Sequence, residues 1–416
     1  MLRKSILFGL ALALGASAVA APVGAAGAPE PARPPAADTR HFTAGEELAR
    51  TVTLVTGVPI SPLLGVSALG AWRYFQTPVA ARPALPWYAR PWFWGAGLAI
   101  VFLFAANTTL GAALPGLKKP MDFVEEHENK LSALLATPIV LLEIHRLLSF
   151  APGVAGALAA SSPPLATAGL AAIAGGDAWV RPLVTVGLGA LYLACYLVVF
   201  VAFHAIQVLI ALSPSVLLDM FLRAFRLGLL GLLGLSSTIH PYLGAALGFA
   251  VLFVAWLLVG WSFRLSVYGS VLSFDFLAGR DGAADPRTAR LAAFAQKGLP
   301  GVPVRSFGRL EQDPQGRWRF RFRPWLVLPA RRIALPPGEL AVLRGAVSPT
   351  LVRLGGLREL GLMRFPPRFR GRETELAARL GGAAVRDGRI VRGLKATWRW
   401  LKELALGADA ADSPAA

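Results

Sequence analysis

Residues 183–261 read LVTVGLGALYLACYLVVFVAFHAIQVLIAL (183–212), SPS (213–215), VLLDMFLRAFRLGLLGLLGL (216–235), SSTIH (236–240) and PYLGAALGFAVLFVAWLLVGW (241–261). A bilayer's hydrocarbon core, ~30 Å thick, is crossed by about 20 helical residues. The first and last of these runs exceed that length, which predicts an integral membrane protein. Between them, Ser213 reads as an N-cap and Pro214 as the first residue of a helix. In that helix Asp219, Arg223 and Arg226 follow at intervals of four and three, forming one polar stripe among Leu217, Met220, Phe221 and Phe225. The pattern predicts an interfacial helix.

Composition agrees. Hydrophobic residues make up 55 % of the 416, charged residues only 16 %, and the mean hydropathy is +0.54. Of the 42 Lys and Arg, 26 fall in residues 280–416 against 12 of the 24 acids, so that region carries +14 of the total +18. A basic region after an apolar block suits an anionic membrane face. The single cysteine, Cys195, lies in an apolar run, which excludes a disulfide framework and reads as a small buried side chain.

Toward the N-terminus, residues 1–21 resemble a secretory signal: Arg3 and Lys4, a short apolar core Ile6–Leu14, then small residues. Residues 22–50 are an Ala/Pro-rich tail. Further crossings are expected at Thr51–Trp72, kinked or broken by Pro59 and Pro62, at Trp92–Leu114, and at Leu131–Phe150. Trp87, Tyr88, Trp92 and Trp94 suggest an interfacial aromatic belt. The segment Lys118–Lys130 reads as a solvated linker with an i,i+4 pair of Glu126 and Lys130. Residues 151–176 read as a loop or hairpin. The expected fold is therefore about five transmembrane helices plus an interfacial helix over 51–272, followed by a small basic α+β domain over 280–406 and a short end, 407–416.

In that last domain Trp318, Phe320 and Phe322 alternate with Arg317, Arg319, Arg321 and Arg323, a period of two that predicts a strand with one buried face. The turn residues Asp313–Gly316 precede it, and 304–310 would be its hairpin partner. Short strands are expected at Leu326–Leu328 and Leu351–Leu354. Over 391–405, Trp398 lies on an apolar helical face flanked by Arg392, Lys395, Arg399 and Lys402, a set suited to anionic lipid.

Charged groups inside a bilayer are costly, so each demands a partner or a purpose. Glu143 and Arg146 share a helix face and can pair; His145 points roughly 200° from Glu143. His204 and Gln207 share another face in mid-span, and His240 precedes Pro241 at a helix start. Gly228, Gly231 and Gly234 read as close helix packing. No zinc spacing, phosphate loop, dinucleotide fingerprint or nucleophile motif occurs, so neither a metal nor a cofactor is expected.

The Pro-containing first span, the linker Lys118–Lys119–Pro120–Met121–Asp122, and the series His204, Ser213–Pro214, His240–Pro241 resemble an uncharacterised family of bacterial multi-pass membrane proteins. Leu117 stands where that family has an Asp. The resemblance covers about residues 51–268 and implies architecture only. The expected placement is the plasma membrane, with the N-terminus outside and the basic domain in the cytoplasm. The expected role is a non-enzymatic membrane module whose basic domain meets anionic lipid or a protein partner. A small transporter or channel built on the intramembrane polar residues is the rival reading, and a membrane-embedded enzyme the third. Nucleic acid is set aside for want of a binding motif.

Overall fold

The computed structural model describes residues 44–110, 115–149, 180–213, 215–280, 282–287, 291–355 and 358–388. The signal segment, most of the Ala/Pro-rich tail, residues 151–176 and the basic C-terminal helix lie outside the described residues. The chain divides into two compact units, one ending at Val259 and the other beginning at Gly260.

The first unit is helical, and it corrects the five-span expectation. Pro59 and Pro62, which lack the amide hydrogen a helix needs, break the expected first crossing. It becomes α1 (Ala44–Gly57), a 3-10 turn Val58–Ile60 and α2 (Pro62–Gln76). At 14 and 15 residues, neither helix reaches across a bilayer. The second crossing is α3 (Pro91–Leu110), whose apolar part, Pro91–Phe104, is also short. The polar linker and the third crossing are one continuous 35-residue helix, α4 (Pro115–Ser149), with Pro120 and Pro138 inside it. Next come α5 (Val180–Leu212), α6 (Val216–Ile239) and α7 (Pro241–Leu277). Among the described residues only two helices are long and apolar enough to cross a membrane: α5, over Gly189–Leu212, and α7.

Two local expectations also change. The N-cap of α6 is Ser215, whose hydroxyl accepts from the Leu218 amide at 3.4 Å, two residues later than expected. Gly228, Gly231 and Gly234 touch nothing that a Cβ would meet. Close packing falls instead at Gly244 and Gly248 of α7, where a Cβ would come within 2.8 Å of Thr53 and Thr56 of α1.

The second unit is built on an eight-stranded mixed sheet: β1 (Leu291–Ala295), β2 (Phe307–Gln312), β3 (Trp318–Phe322), β4 (Arg331–Ala334), β5 (Glu339–Arg344), β6 (Thr350–Gly355), β7 (Arg358–Arg364) and β8 (Ala384–Asp387). Their order is β4-β3-β2-β1-β7-β6-β5-β8, antiparallel except where β8 lies parallel to β5. The alternation in β3 does what the sequence predicts: Phe320 and Phe322 enter the core, and β2 pairs with β3 from Gly308↔Phe322 to Gln312↔Trp318. The turn is held by Asp313, whose carboxylate accepts the Gln315 and Arg317 amides at 3.0 and 2.8 Å, with Gly316 at φ +75°. Leu351–Leu354 lies in β6, whereas Leu326–Leu328 is no strand but part of a turn.

Phe320, Leu351, Met363, Phe365 and Phe369 pack with Leu376 of the short α8 (Glu373–Arg379) to form the core. The last turns of α7 belong to this unit too. Tyr268 accepts a hydrogen bond from Arg364 at 3.0 Å, and Asp275 one from Arg368 at 3.0 Å. The Tyr268 ring meets Phe294 edge-on.

Candidate functional site

The feature that sets the helical unit apart is a buried network of charged and amide groups on α4, α5 and α6. On α4 the buried positions Asp122, Glu125, Glu126, Asn129, Ser132, Ala133, Ala136, Ile139 and Val140 recur at three and four residues. That is the period of one helix face. The face is polar for its first turns and apolar afterwards. The segment read as a solvated linker is therefore the polar half of an inward-facing stripe.

Arg223 of α6 is the hub. It donates to Glu125 at 2.8 Å and to Asp122 at 3.1 Å, and a second approach to Glu125 is 2.7 Å. Asp122 is wholly buried. One turn on, Arg226 donates to Gln207 of α5 at 2.5 Å. Asp219 is buried, Arg223 turns inward onto carboxylates and Arg226 onto the Gln207 amide, while Leu217, Met220, Phe221 and Phe225 point outward. A water-facing amphipathic helix would do the reverse, so the interfacial expectation for α6 is corrected.

His204 of α5 sits beside this hub. Its Nδ1 lies 3.1 Å from Asn129 Nδ2, so the Asn129 amide donates and the ring proton sits on Nε2. That nitrogen faces Glu126 Oε1 at 3.8 Å, too far for a direct hydrogen bond. Glu126 is bonded by Lys130 at 2.6 Å, the i,i+4 pair expected from spacing. The His204 ring stacks on Phe200 at 5.4 Å. Burial pushes the Glu128 carboxyl up, with the charge of Glu125 adding to it; the Ser132 hydroxyl and Arg226 oppose this without cancelling it. Among the described residues, the His204 Nε2 and Gln207 Nε2 atoms make no hydrogen bond.

The sequence-predicted residues divide accordingly. His204, Gln207, Arg223 and Arg226, read there as parts of two separate features, come together beside α4, and Asp219 is buried on α6. His240 does not join them: it closes α6 by donating its amide to Ser236 and stacks on Tyr242 at 5.3 Å. The side chains of Glu143, His145 and Arg146 lie outside the described residues, as do Arg392, Lys395, Trp398, Arg399 and Lys402. Asp122, Glu125, Glu126, Glu128 and Asn129 were missed. Their signal was the continuation of their spacing into the apolar stripe. Among the described residues no group of His, Cys, Asp and Glu is placed to hold a metal ion. An apolar groove of about 400 Å³, lined by Cys195, Val198, Phe249, Leu252, Phe253 and Trp256, offers no charged group.

No family model, curated protein or solved structure matches this chain.

Proposed function

We propose that the chain is a non-enzymatic membrane module, held in the bilayer by α5 and α7, whose basic unit rests on the anionic surface of the same membrane. One observation carries this reading. Around the buried ion pairs of the helical unit, large apolar side chains stand in the open, among them Phe249, Phe253, Trp256 and Leu257 of α7 and Leu191 and Leu197 of α5. Water-soluble monomers rarely expose apolar patches of this extent, and hydrocarbon is the solvent that suits them. Arg264, within α7 just past the apolar run Pro241–Trp261, and Arg280 and Arg287 beyond the helix favour the cytoplasmic face for the basic unit, by the excess of positive charge on that side.

Expressed in full, the chain should stay with membranes through an alkaline carbonate wash and leave only with detergent. Release by carbonate would end the reading. A second reading, a proton or ion path, is favoured by one observation: the His204 and Gln207 Nε2 atoms, which make no hydrogen bond among the described residues, beside Glu126 and Arg226. Intramembrane ionisable groups commonly mark such paths.

A further inference from the structure

We propose that the β3–β4 loop of the basic unit, residues 323–332, inserts into the headgroup region of an anionic leaflet, with lipid phosphates met by the arginines beside it. The inference rests on the membrane reading above and names the surface that reading would use. The first observation is the loop's chemistry. Its tip reads PWLVLPA (324–330), and Trp325, Leu326, Val327 and Leu328 are all exposed, Val327 at 80 %. The same unit buries Phe320, Leu351 and Met363 completely. Its core could absorb apolar side chains, yet these four are held out of it.

They are held out under strain. Trp325 and Leu326 have φ of 56° and 62°, a left-handed conformation that costs any residue with a Cβ. Two hydrogen bonds lock the turn, Leu326 N to Arg323 O at 3.0 Å and Leu328 N to Pro324 O at 3.1 Å. Strained backbone of this kind tends to collect at functional surfaces.

Charge identifies the partner. Register places Arg309 opposite Arg321 and Arg321 opposite Arg332, a row of like charges across β2, β3 and β4. Directly opposed like charges destabilise a sheet, and Glu311, 3.5 Å from Arg321, answers only one of them. Arg323, Arg331 and Arg332 are exposed and make no ion pair among the described residues. A surface of phosphates would relieve the whole row.

Position identifies the depth. The Trp325 ring packs against Phe263 of α7 at 4.9 Å, tilted by 36°, and Arg264 donates to the carbonyl of Val304 at 3.1 Å. Val304 precedes β2 and lies at the same end of the sheet as the loop. If Pro241–Gly260 fill the hydrocarbon, at about 20 residues for ~30 Å, Trp261–Arg264 stand at the leaflet boundary. The loop packed on them then lies at headgroup depth, where Trp and Arg are at home.

The test uses the full chain with Cys195→Ala, reconstituted in nanodiscs of phosphatidylcholine with or without phosphatidylglycerol. An environment-sensitive fluorophore is placed singly at Val327→Cys, at Gln315→Cys in the turn at the other end of β2–β3, and at Phe253→Cys in α7. In anionic discs the Val327 probe should shift to the blue, be quenched by doxyl lipids and resist aqueous iodide, while the Gln315 probe stays aqueous. Removing phosphatidylglycerol, or adding Arg321→Glu with Arg332→Glu, should return the Val327 probe toward water. An aqueous Val327 probe beside a lipid-exposed Phe253 probe overturns this inference and spares the membrane reading. Aqueous probes at both sites sink the two together. A blue shift without doxyl quenching means a protein contact and also overturns the inference, and quenching indifferent to headgroup charge removes the arginines from it.

Discussion

In the helical unit Asp122, Glu126, Gln207 and Asp219 are wholly buried, while Phe253, Trp256 and Leu257 of α7 are each about 60 % exposed. In the unit that begins at Gly260 the arrangement is inverted. Phe320, Leu351 and Met363 are wholly buried, and Arg309, Arg323, Arg331 and Arg332 face outward. Under the proposed placement the same physics produces both. A folded chain hides from its solvent whatever that solvent accommodates least: charge from hydrocarbon, hydrocarbon from water. The helix α7 carries both regimes in succession. Its first twenty residues, Pro241–Gly260, have no charged side chain, whereas Ser262, Ser266, Ser273 and Asp275 are buried polar positions in its later turns. A helix of 37 residues is about 55 Å long, well beyond a ~30 Å hydrocarbon core, so under the proposed placement α7 must leave the bilayer partway along.

The sharpest way to break this comparison is to remove the same residue type from each region. Arg223→Met removes the guanidinium that Asp122 and Glu125 share inside the helical unit, and breaking a buried ion pair from one side costs about 3–5 kcal/mol. Arg309→Met on the exposed sheet face should stay within about 0.5 kcal/mol. Thermal unfolding of the purified full chain in one detergent reads both, and equal shifts would dissolve the contrast. Adding Asp122→Asn and Glu125→Gln to Arg223→Met should recover most of the loss, since removing a whole buried pair is close to neutral.

Next in size is a charge introduced on an exposed apolar position. Phe253→Asp should lower membrane-inserted yield by an amount equivalent to ~2.5–3.5 kcal/mol if α7 is in hydrocarbon. Val347→Asp, on a similarly exposed apolar side chain of the second unit, should change little, within about 0.5 kcal/mol. If Phe253→Asp proves as harmless as Val347→Asp, α7 faces water and the proposed placement fails.

How much of this was legible in the sequence follows from the range of each signal. The β3 alternation and the Asp313–Gly316 turn are local, and Phe320, Phe322 and Gly316 behave as their spacing predicts. The two longest apolar runs, α5 and α7, are likewise a matter of counting. Hydropathy failed where backbone chemistry overrode composition, at Pro59 and Pro62, and where a polar segment and an apolar one formed the single helix α4. The ion network could not be read from spacing alone. Arg223 and Asp122 are 101 residues apart, and nothing local to either says that they meet. What spacing did offer was the stripe from Asp122 through Asn129 to Ile139. Its charged half disguised it as a solvated segment. The turn at Trp325 was missed because its residues favour strands, and their propensity was overridden by Pro324, Pro329 and the positive φ angles.

His204 sharpens the helical side of the comparison. Among the described residues its side chain makes one hydrogen bond, with Asn129, and buried polar contacts in membranes average only ~0.6 kcal/mol. His204→Leu should therefore leave stability nearly unchanged and the level of membrane-inserted protein within about twofold. Normal stability combined with complete loss of a proton- or ion-dependent phenotype would favour the path reading over the non-enzymatic module.

The smallest expected effect belongs to the water side. Burial within the turn would raise the Asp313 carboxyl, but the Arg317 amide, the guanidinium groups of Arg317 and Arg319, and the Gln315 amide outweigh it and hold it below the ordinary carboxylate value. Arg319 is 2.9 Å away and Arg317 3.2 Å. A carboxyl whose folded pKa is depressed adds stability above its unfolded pKa, and that contribution fades as pH falls through the folded one. The turn's tie should thus be complete at neutral pH and lost only on strong acidification. The arginines involved are exposed, so solvent screening keeps the effect local rather than global. Hydrogen-exchange protection at Gln315 and Arg317, corrected for intrinsic rates, should fall on acidification while β6 and β7 stay protected. Asp313→Ala should show the low protection at every pH. Protection at those two amides that ignores both pH and the substitution would mean that Gly316 and the strand register hold the turn without the carboxylate.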